Sequence, residues 1–241
     1  MGYWQGQAKH LRKSLRIKDI LITAGLDYLF YAILVAIFYL FVMFVSKRVS
    51  ILQGVNPMAV LSSGGQEAIG TLQTVLLSLV ISVVMLYLLF ILLHSFFQLL
   101  IWGRLIRKTL SIRLYWKVVL SNLAFFIAII AILLTLLFRN KGISLPPSVV
   151  VLLVFMVHFG SVLVHEVIHQ ESLKKGFFNL FWKGCMFHRF FLAYAIIFLG
   201  LFILVNLFNY AKIWQISDLI PIIAIVMYLS WARSYFAEAM K

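Results

Sequence analysis

The sequence predicts an all-α integral membrane protein, and its composition and hydropathy pattern carry this prediction. Of the 241 residues, 64% are hydrophobic and only 12% are charged, whereas soluble domains contain about 25% charged residues. Apolar stretches of about twenty residues, long enough to cross the hydrocarbon core as helices, recur along the chain. A transmembrane β-barrel would instead consist of short segments of alternating hydrophobicity.

Six apolar segments are predicted to span the membrane. They lie at about residues 20–45, 71–101, 118–138, 146–167, 190–210 and 216–236. Pro146 and Pro147 open the fourth helix, where a missing backbone N–H is tolerated. We therefore predict a basic, cytoplasmic amphipathic lead-in at 1–19, followed by a single six-helix transmembrane domain at 20–241. An even number of spans arranges the helices as three hairpins.

The distribution of basic residues predicts the orientation of the spans. Of the 21 Lys and Arg residues, sixteen fall in the termini and in the segments at 104–117, 170–189 and 233, and five fall on the opposite side. Basic residues accumulate on the cytoplasmic side of membrane proteins. Both termini are therefore predicted to be cytoplasmic, in a cytoplasmic or plasma membrane.

The net charge of +14 indicates anionic lipid headgroups as partners rather than nucleic acid, because the basic residues cluster beside the apolar segments. The predicted headgroup contacts are Lys9, Arg12, Lys13, Arg16, Arg104, Arg107, Lys108, Arg113, Lys117, Lys174, Lys175, Lys183 and Arg189.

An internal repeat of about 65 residues is predicted from recurring landmarks. Trp116-Lys117 and Trp182-Lys183 lie 66 residues apart, and His94 and His158 lie 64 apart. Each repeat would consist of a cytoplasmic amphipathic lead-in, a span, an outer loop and a second span. The third lead-in mixes Phe and Trp with Lys, Arg and His, a composition typical of a helix in the headgroup plane or of an interfacial loop.

One motif in the sequence is typical of a catalytic zinc site. Residues 165–169 read His-Glu-Val-Ile-His, an H-E-x-x-H sequence near the cytoplasmic end of the fourth span. This motif resembles that of zincin-type membrane metalloproteases, both the site-2 protease kind and the prenyl-protein protease kind. The resemblance covers five residues and implies zinc as cofactor, His165 and His169 as ligands, and Glu166 as general base.

A third zinc ligand is needed, and the sequence offers only tentative ones. The later aspartate that a site-2 protease would use is Asp218, which is predicted on the opposite side of the membrane. Glu238 lies on the correct side and is the first choice, with His188 as its substitute. Without a metal, His165, Glu166 and His169 would emerge at the cytoplasmic surface, with Glu166 paired to Lys174, Lys175 or an Arg.

Two further histidines lie within predicted spans, and an intramembrane ionisable residue is a candidate functional group. His94 and His158 could ligate a haem iron or another metal, or make interhelical hydrogen bonds. The sequence favours the hydrogen bonds, because it has no c-type haem attachment motif. The single Cys185 excludes an internal disulfide.

The leading interpretation is a non-enzymatic polytopic membrane protein: a scaffold, a small transporter, or a subunit that binds another membrane protein or a second copy of itself. A zinc-dependent membrane metalloprotease acting at the cytoplasmic face is the first alternative. A His-ligated haem or metal redox subunit is the second. No cofactor is required by the leading interpretation, and zinc belongs only to the alternatives.

Overall fold

A computed structural model describes residues 14, 16–53, 66–139, 147–211, 213 and 219–240. Within these ranges the side chains of residues 51–53, 66–69, 71, 133, 136–139, 147–155, 157, 187–189 and 192 are not described. The predicted lead-in at 1–19, with Lys9, Arg12 and Lys13, therefore lies largely outside the described residues, as do the side chains of His188 and Arg189.

The described residues form seven helices and no strand, as the sequence predicts for an all-α protein. The helices are α1 (Ile17–Gln53), α2 (Gln66–Ile106), α3 (Ile112–Arg139), α4 (Pro147–Gln170), α5 (Leu173–Gly184), α6 (Phe187–Tyr210) and α7 (Leu219–Ala239).

Five segments of these helices are long and apolar enough to cross a bilayer: Ile17–Ser50, Leu72–Ile106, Ile112–Ile132, Ala193–Tyr210 and Leu219–Ala239. They support an integral membrane protein. The fourth predicted span corresponds to α4, whose N-terminal side chains lie outside the described set. The count of six spans, the three hairpins and the repeat stay predictions.

The first two helices are longer than predicted, with 37 residues in α1 and 41 in α2. The predicted bounds followed the apolar residues and stopped where polar residues begin. In α1 the helical backbone continues through those polar residues because the segment at 46–53 contains no glycine or proline to end it.

Two helices end at a residue in the left-handed conformation. Arg107, with φ 61°, terminates α2, and Glu171, with φ 54°, terminates α4. A non-glycine residue is uncommon there, since the Cβ atom crowds the backbone. The reversal after Glu171 lets Ser172 cap α5, whose Lys175 N–H faces the Ser172 hydroxyl at 3.5 Å. The described part of the second lead-in forms no separate helix, unlike the third, which contains α5.

The chain divides into two compact units. One comprises residues 29–94, within which the His94 ring stacks on Phe90 with centroids 5.5 Å apart and lies 5.8 Å from Phe30. The other comprises residues up to 28 and from 95 to 241. Its hydrophobic core surrounds the C-terminal half of α4, where every residue from 162 to 168 is buried. Trp102, Val118 and Phe236 pack into this core from α2, α3 and α7.

The close packing of α5 on α4 depends on two glycines. A Cβ atom on Gly176 would lie 2.6 Å from Val167 Cγ2, and one on Gly184 would lie 2.5 Å from Phe159 Cε1. Both distances are shorter than van der Waals contact, so a larger residue requires the two helices to separate. Glycine at these positions brings the backbone of α5 close enough for its polar side chains to reach α4.

We predict that Gly176→Ala lowers the stability of the protein by about 1–3 kcal/mol, the usual cost of overpacking a close contact. Gly25→Ala is the matched control, because a Cβ atom there meets nothing within 4 Å. Thermal unfolding of the two variants in detergent, followed by size-exclusion chromatography, compares them. Equal unfolding midpoints would contradict the assigned role of Gly176.

Candidate functional site

The H-E-x-x-H motif lies in the most buried part of α4 rather than at its surface. His165 is 1% exposed and Glu166 is 0% exposed, whereas His169 is exposed. Four-residue spacing places both histidines on one face of the helix, and their ring centroids lie 5.9 Å apart. The expectation that His165 faces water or headgroups is therefore wrong, because the core closes over this turn of α4.

The Glu166 carboxylate receives three hydrogen-bond donors. Lys183 Nζ lies 2.6 Å from Oε1, Asn179 Nδ2 lies 2.8 Å from Oε2, and His165 Nδ1 lies 3.2 Å from Oε1. Donors of this kind, one of them charged, stabilise the ionised carboxylate in a buried position. Glu166 does pair with a lysine, but with Lys183 rather than with Lys174 or Lys175.

Two of these donors come from α5, and the helix periodicity explains why. Asn179 and Lys183 are four residues apart and therefore share one face of α5. Gly176, Leu180 and Gly184 are buried on the side of α5 that meets α4. Lys183 keeps part of its length in solvent, with a side-chain exposure of 30%. The Glu166 contacts therefore fasten α5 to α4.

The hydrogen bond to Glu166 determines that Nδ1 of the His165 ring is protonated. A carboxylate only accepts, so Nδ1 carries the hydrogen, and in the neutral ring Nε2 then presents its lone pair. Nε2 is buried and has no hydrogen-bond partner among the described residues. The ring stands edge-on to Trp102, with centroids 5.8 Å apart. A carboxylate that orients a histidine in this way is common behind metal ligands.

Of the two tentative third ligands, Glu238 does not form a metal-holding group with these histidines in the described part of the chain. No group of three or more His, Cys, Asp or Glu residues there is placed to hold a metal ion. Glu238, the first choice, lines a separate cavity that also contains Arg104 and Arg107. The side chain of His188, its substitute, is outside the described residues.

His158 joins three helices by hydrogen bonds. Its Nε2 lies 3.0 Å from the Gly184 carbonyl oxygen at the end of α5, which only accepts, so Nε2 carries the hydrogen. Its Nδ1 then accepts from the Tyr194 hydroxyl of α6. Phe190 and Phe236 pack against the ring with centroids 5.3 and 5.8 Å away. Both ring nitrogens are engaged, as expected for an interhelical hydrogen-bonding residue.

Some of the predicted headgroup lysines contact protein groups. Lys108 Nζ lies 2.9 Å from Glu171 Oε1, and Lys117 Nζ donates to the Glu171 carbonyl oxygen. The hydrogen bond and the charge of Lys108 hold the pKa of the Glu171 carboxyl below its usual range. The predicted contacts whose side chains are exposed are Arg16, Arg104, Arg107, Arg113, Lys174 and Lys175.

A partly buried ion pair joins Asp27 and Arg233, and the sequence analysis does not predict it. Arg233 donates to Asp27 Oδ1 at 2.8 Å, and the Ser230 hydroxyl donates to Asp27 Oδ2 at 2.8 Å. These contacts fasten α7 to α1, and Asp27 is only 6% exposed. Asp27 and Arg233 carry opposite charges within the first and sixth predicted spans, and this pattern could have indicated the pair.

Comparison of the chain with protein-family models, curated proteins and solved structures gives no match. The function of the site therefore has to be inferred from its geometry.

We predict that Lys183→Met destabilises the protein by roughly 2–3 kcal/mol. Removing one partner of a fully buried ion pair costs about 3–5 kcal/mol, and the partial exposure of Lys183 reduces that value. Lys175→Met, on the exposed side of α5, removes the same charge and serves as control. Chemical unfolding in mixed micelles measures both, and a similar small loss in the two variants would refute the role of Lys183.

Proposed function

We propose that this chain is a non-enzymatic, six-span membrane protein that acts as a scaffold or as a subunit of a membrane assembly. In this proposal the H-E-x-x-H segment is a structural junction that holds α5 as an interfacial helix. The observation that carries the proposal is the set of three donors on the Glu166 carboxylate.

A catalytic H-E-x-x-H needs its glutamate free to take a proton from a metal-bound water. Here Glu166 is fully buried, and both of its carboxylate oxygens accept hydrogen bonds from protein groups. To act as a base it would have to release Lys183 or Asn179 and admit water into the core. These costs favour a structural role for the carboxylate.

The exposed side chains of α5 support the proposal that this helix lies at the membrane surface. Phe178, Phe181 and Trp182 are 73%, 68% and 66% exposed, and Lys174 and Lys175 are exposed at the start of the helix. Exposed aromatic side chains next to lysines are typical of helices lying among lipid headgroups. We infer that anionic lipids contact α5, and that its fixed position serves a neighbouring membrane protein or a second copy of the chain.

The similar C-terminal ends of α2 and α4 support the threefold repeat. Arg107 and Glu171 are 64 residues apart, both follow the last turn of a long helix, and both adopt the left-handed conformation. The same spacing separates His94 from His158. Three repeated hairpins give an even number of spans and place both termini on the same side of the membrane, which the distribution of basic residues predicts to be the cytoplasm.

Metal analysis of the purified full-length protein tests the non-enzymatic proposal. We expect well under one zinc per chain after growth in zinc-supplemented medium, and no change in that content on His165→Ala or His169→Ala. One zinc per chain that is lost in either variant would overturn the proposal. A proteolytic activity that Glu166→Gln abolishes, with zinc retained, would establish the enzyme instead.

The zinc-dependent metalloprotease remains the second candidate, and one observation favours it. The His165 Nε2 atom is buried, lacks a partner among the described residues and is held in the tautomer that a metal requires. Zinc at this nitrogen would need His169 to turn toward it, and a third ligand from another helix. His188 and Glu238 are the groups to test for that ligand. The redox alternative has less support, because both ring nitrogens of His158 are engaged.

The proposed orientation can be tested by cysteine labelling in a Cys185→Ser background, since Cys185 is itself exposed. We expect Asn56→Cys to react with an impermeant thiol reagent from outside the cell. Leu110→Cys should react only after the membrane is opened, because it lies in a predicted cytoplasmic segment with strong positive charge. Labelling of both positions from one side would reject the topology.

A further inference from the structure

A cavity of about 430 Å³ lies where α1 begins and where α2 and α7 end. This volume falls within the usual range for small-molecule sites, about 300–1,000 Å³. Arg16, Arg104 and Arg107 line it together with Asp19 and Glu238. We refer to it below as the arginine cavity. All of its lining residues belong to the same compact unit.

The positive charge of the arginine cavity is only partly compensated. Arg104 Nη2 lies 3.4 Å from Asp19 Oδ1. Within the described residues, neither Arg16 nor Arg107 has an acidic group within ion-pair distance. Three guanidinium groups against two carboxylates leave a net positive site. The left-handed backbone of Arg107 places this uncompensated arginine at the end of α2, beside the cavity.

One buried polar group also faces the arginine cavity. Ser234 is 6% exposed as a residue and lines the cavity. Its hydroxyl can donate a hydrogen bond to a ligand oxygen in the cavity. Leu105 and Ala237 supply an apolar wall beside it.

We propose that the arginine cavity binds a phosphate group, which an anionic glycerophospholipid supplies from the cytoplasmic leaflet. The forked guanidinium group matches phosphate oxygens by paired, charge-assisted hydrogen bonds. Arg16 and Arg107 are the main phosphate ligands, because Arg104 is shared with Asp19. The Ser234 hydroxyl donates a further hydrogen bond.

The position of the cavity indicates a lipid as the source of the phosphate. Apolar candidate spans begin at Ile17 and end at Ile106 and Ala239, and the cavity residues lie at or near these three ends. The boundary of the hydrocarbon core is the depth at which lipid phosphates reside. The acyl chains can then remain in the bilayer while the headgroup occupies the cavity. Binding in detergent does not depend on the proposed orientation or on the absence of enzymatic activity.

The test is lipid binding by the full-length protein in mixed micelles, with phosphatidylglycerol or phosphatidylcholine titrated and bound lipid counted by native mass spectrometry. Arg16→Gln/Arg107→Gln is compared with Lys47→Gln/Arg48→Gln, which removes the same charge near the end of α1, outside the cavity and outside the predicted headgroup contacts. We expect one tight phosphatidylglycerol site in the native protein. The first variant should weaken it about tenfold or more and the control less than about twofold, since a charge-assisted contact is being removed. Ser234→Ala should weaken it a few-fold.

A parallel titration with inorganic phosphate separates the two sources of the ligand. Retention of the tight site in millimolar phosphate supports the lipid headgroup, as proposed. Displacement by phosphate, with the same dependence on Arg16 and Arg107, overturns the lipid source. Equal weakening in the two double variants refutes a defined phosphate site. Equal affinity for phosphatidylglycerol and for phosphatidylcholine, which also carries a phosphate, overturns the assignment of an anionic lipid.

Discussion

The contact between the Glu166 carboxylate and Lys183 is the interaction on which the arrangement of the site depends. An ionised carboxylate without partners would be strongly unfavourable in the core around α4. Its charge is balanced only if α5 lies against α4, with Asn179 and Lys183 turned inward. Gly176 and Gly184 permit the close approach that this geometry requires. Phe178, Phe181 and Trp182 of α5 are consequently directed outward.

Much of the architecture could be predicted from the sequence, because hydropathy reports directly on membrane-spanning helices. Five of the predicted spans coincide with apolar helices. The composition of the third lead-in fitted either a helix or a loop in the headgroup region, and the segment forms the helix α5. The extension of α1 to Gln53 could not be predicted from apolar residues, since the backbone hydrogen bonds of a helix continue through polar side chains.

The candidate site was less predictable, because its properties arise from contacts between helices. His165, Glu166 and His169 were correctly placed near the end of a helix, but sequence alone gave no measure of their burial. The partner of Glu166 is seventeen residues away and on another helix. Only the spacing of Asn179 and Lys183 on one face of α5 hinted at that contact. Asp27 and Arg233 are 206 residues apart, so their positions in the sequence likewise do not indicate that they are in contact.

The length of α2 has a consequence for the bilayer around the protein. Exposed large apolar side chains run along it from Leu72 to Phe96, a distance of about 36 Å at about 1.5 Å per residue. A hydrocarbon core of about 30 Å would cover this stretch only if the helix leaned by about 35°. In a sterol-rich membrane of about 33 Å the same helix would lean by about 25°. Hydrophobic mismatch therefore makes the tilt of α2 depend on the thickness of its membrane.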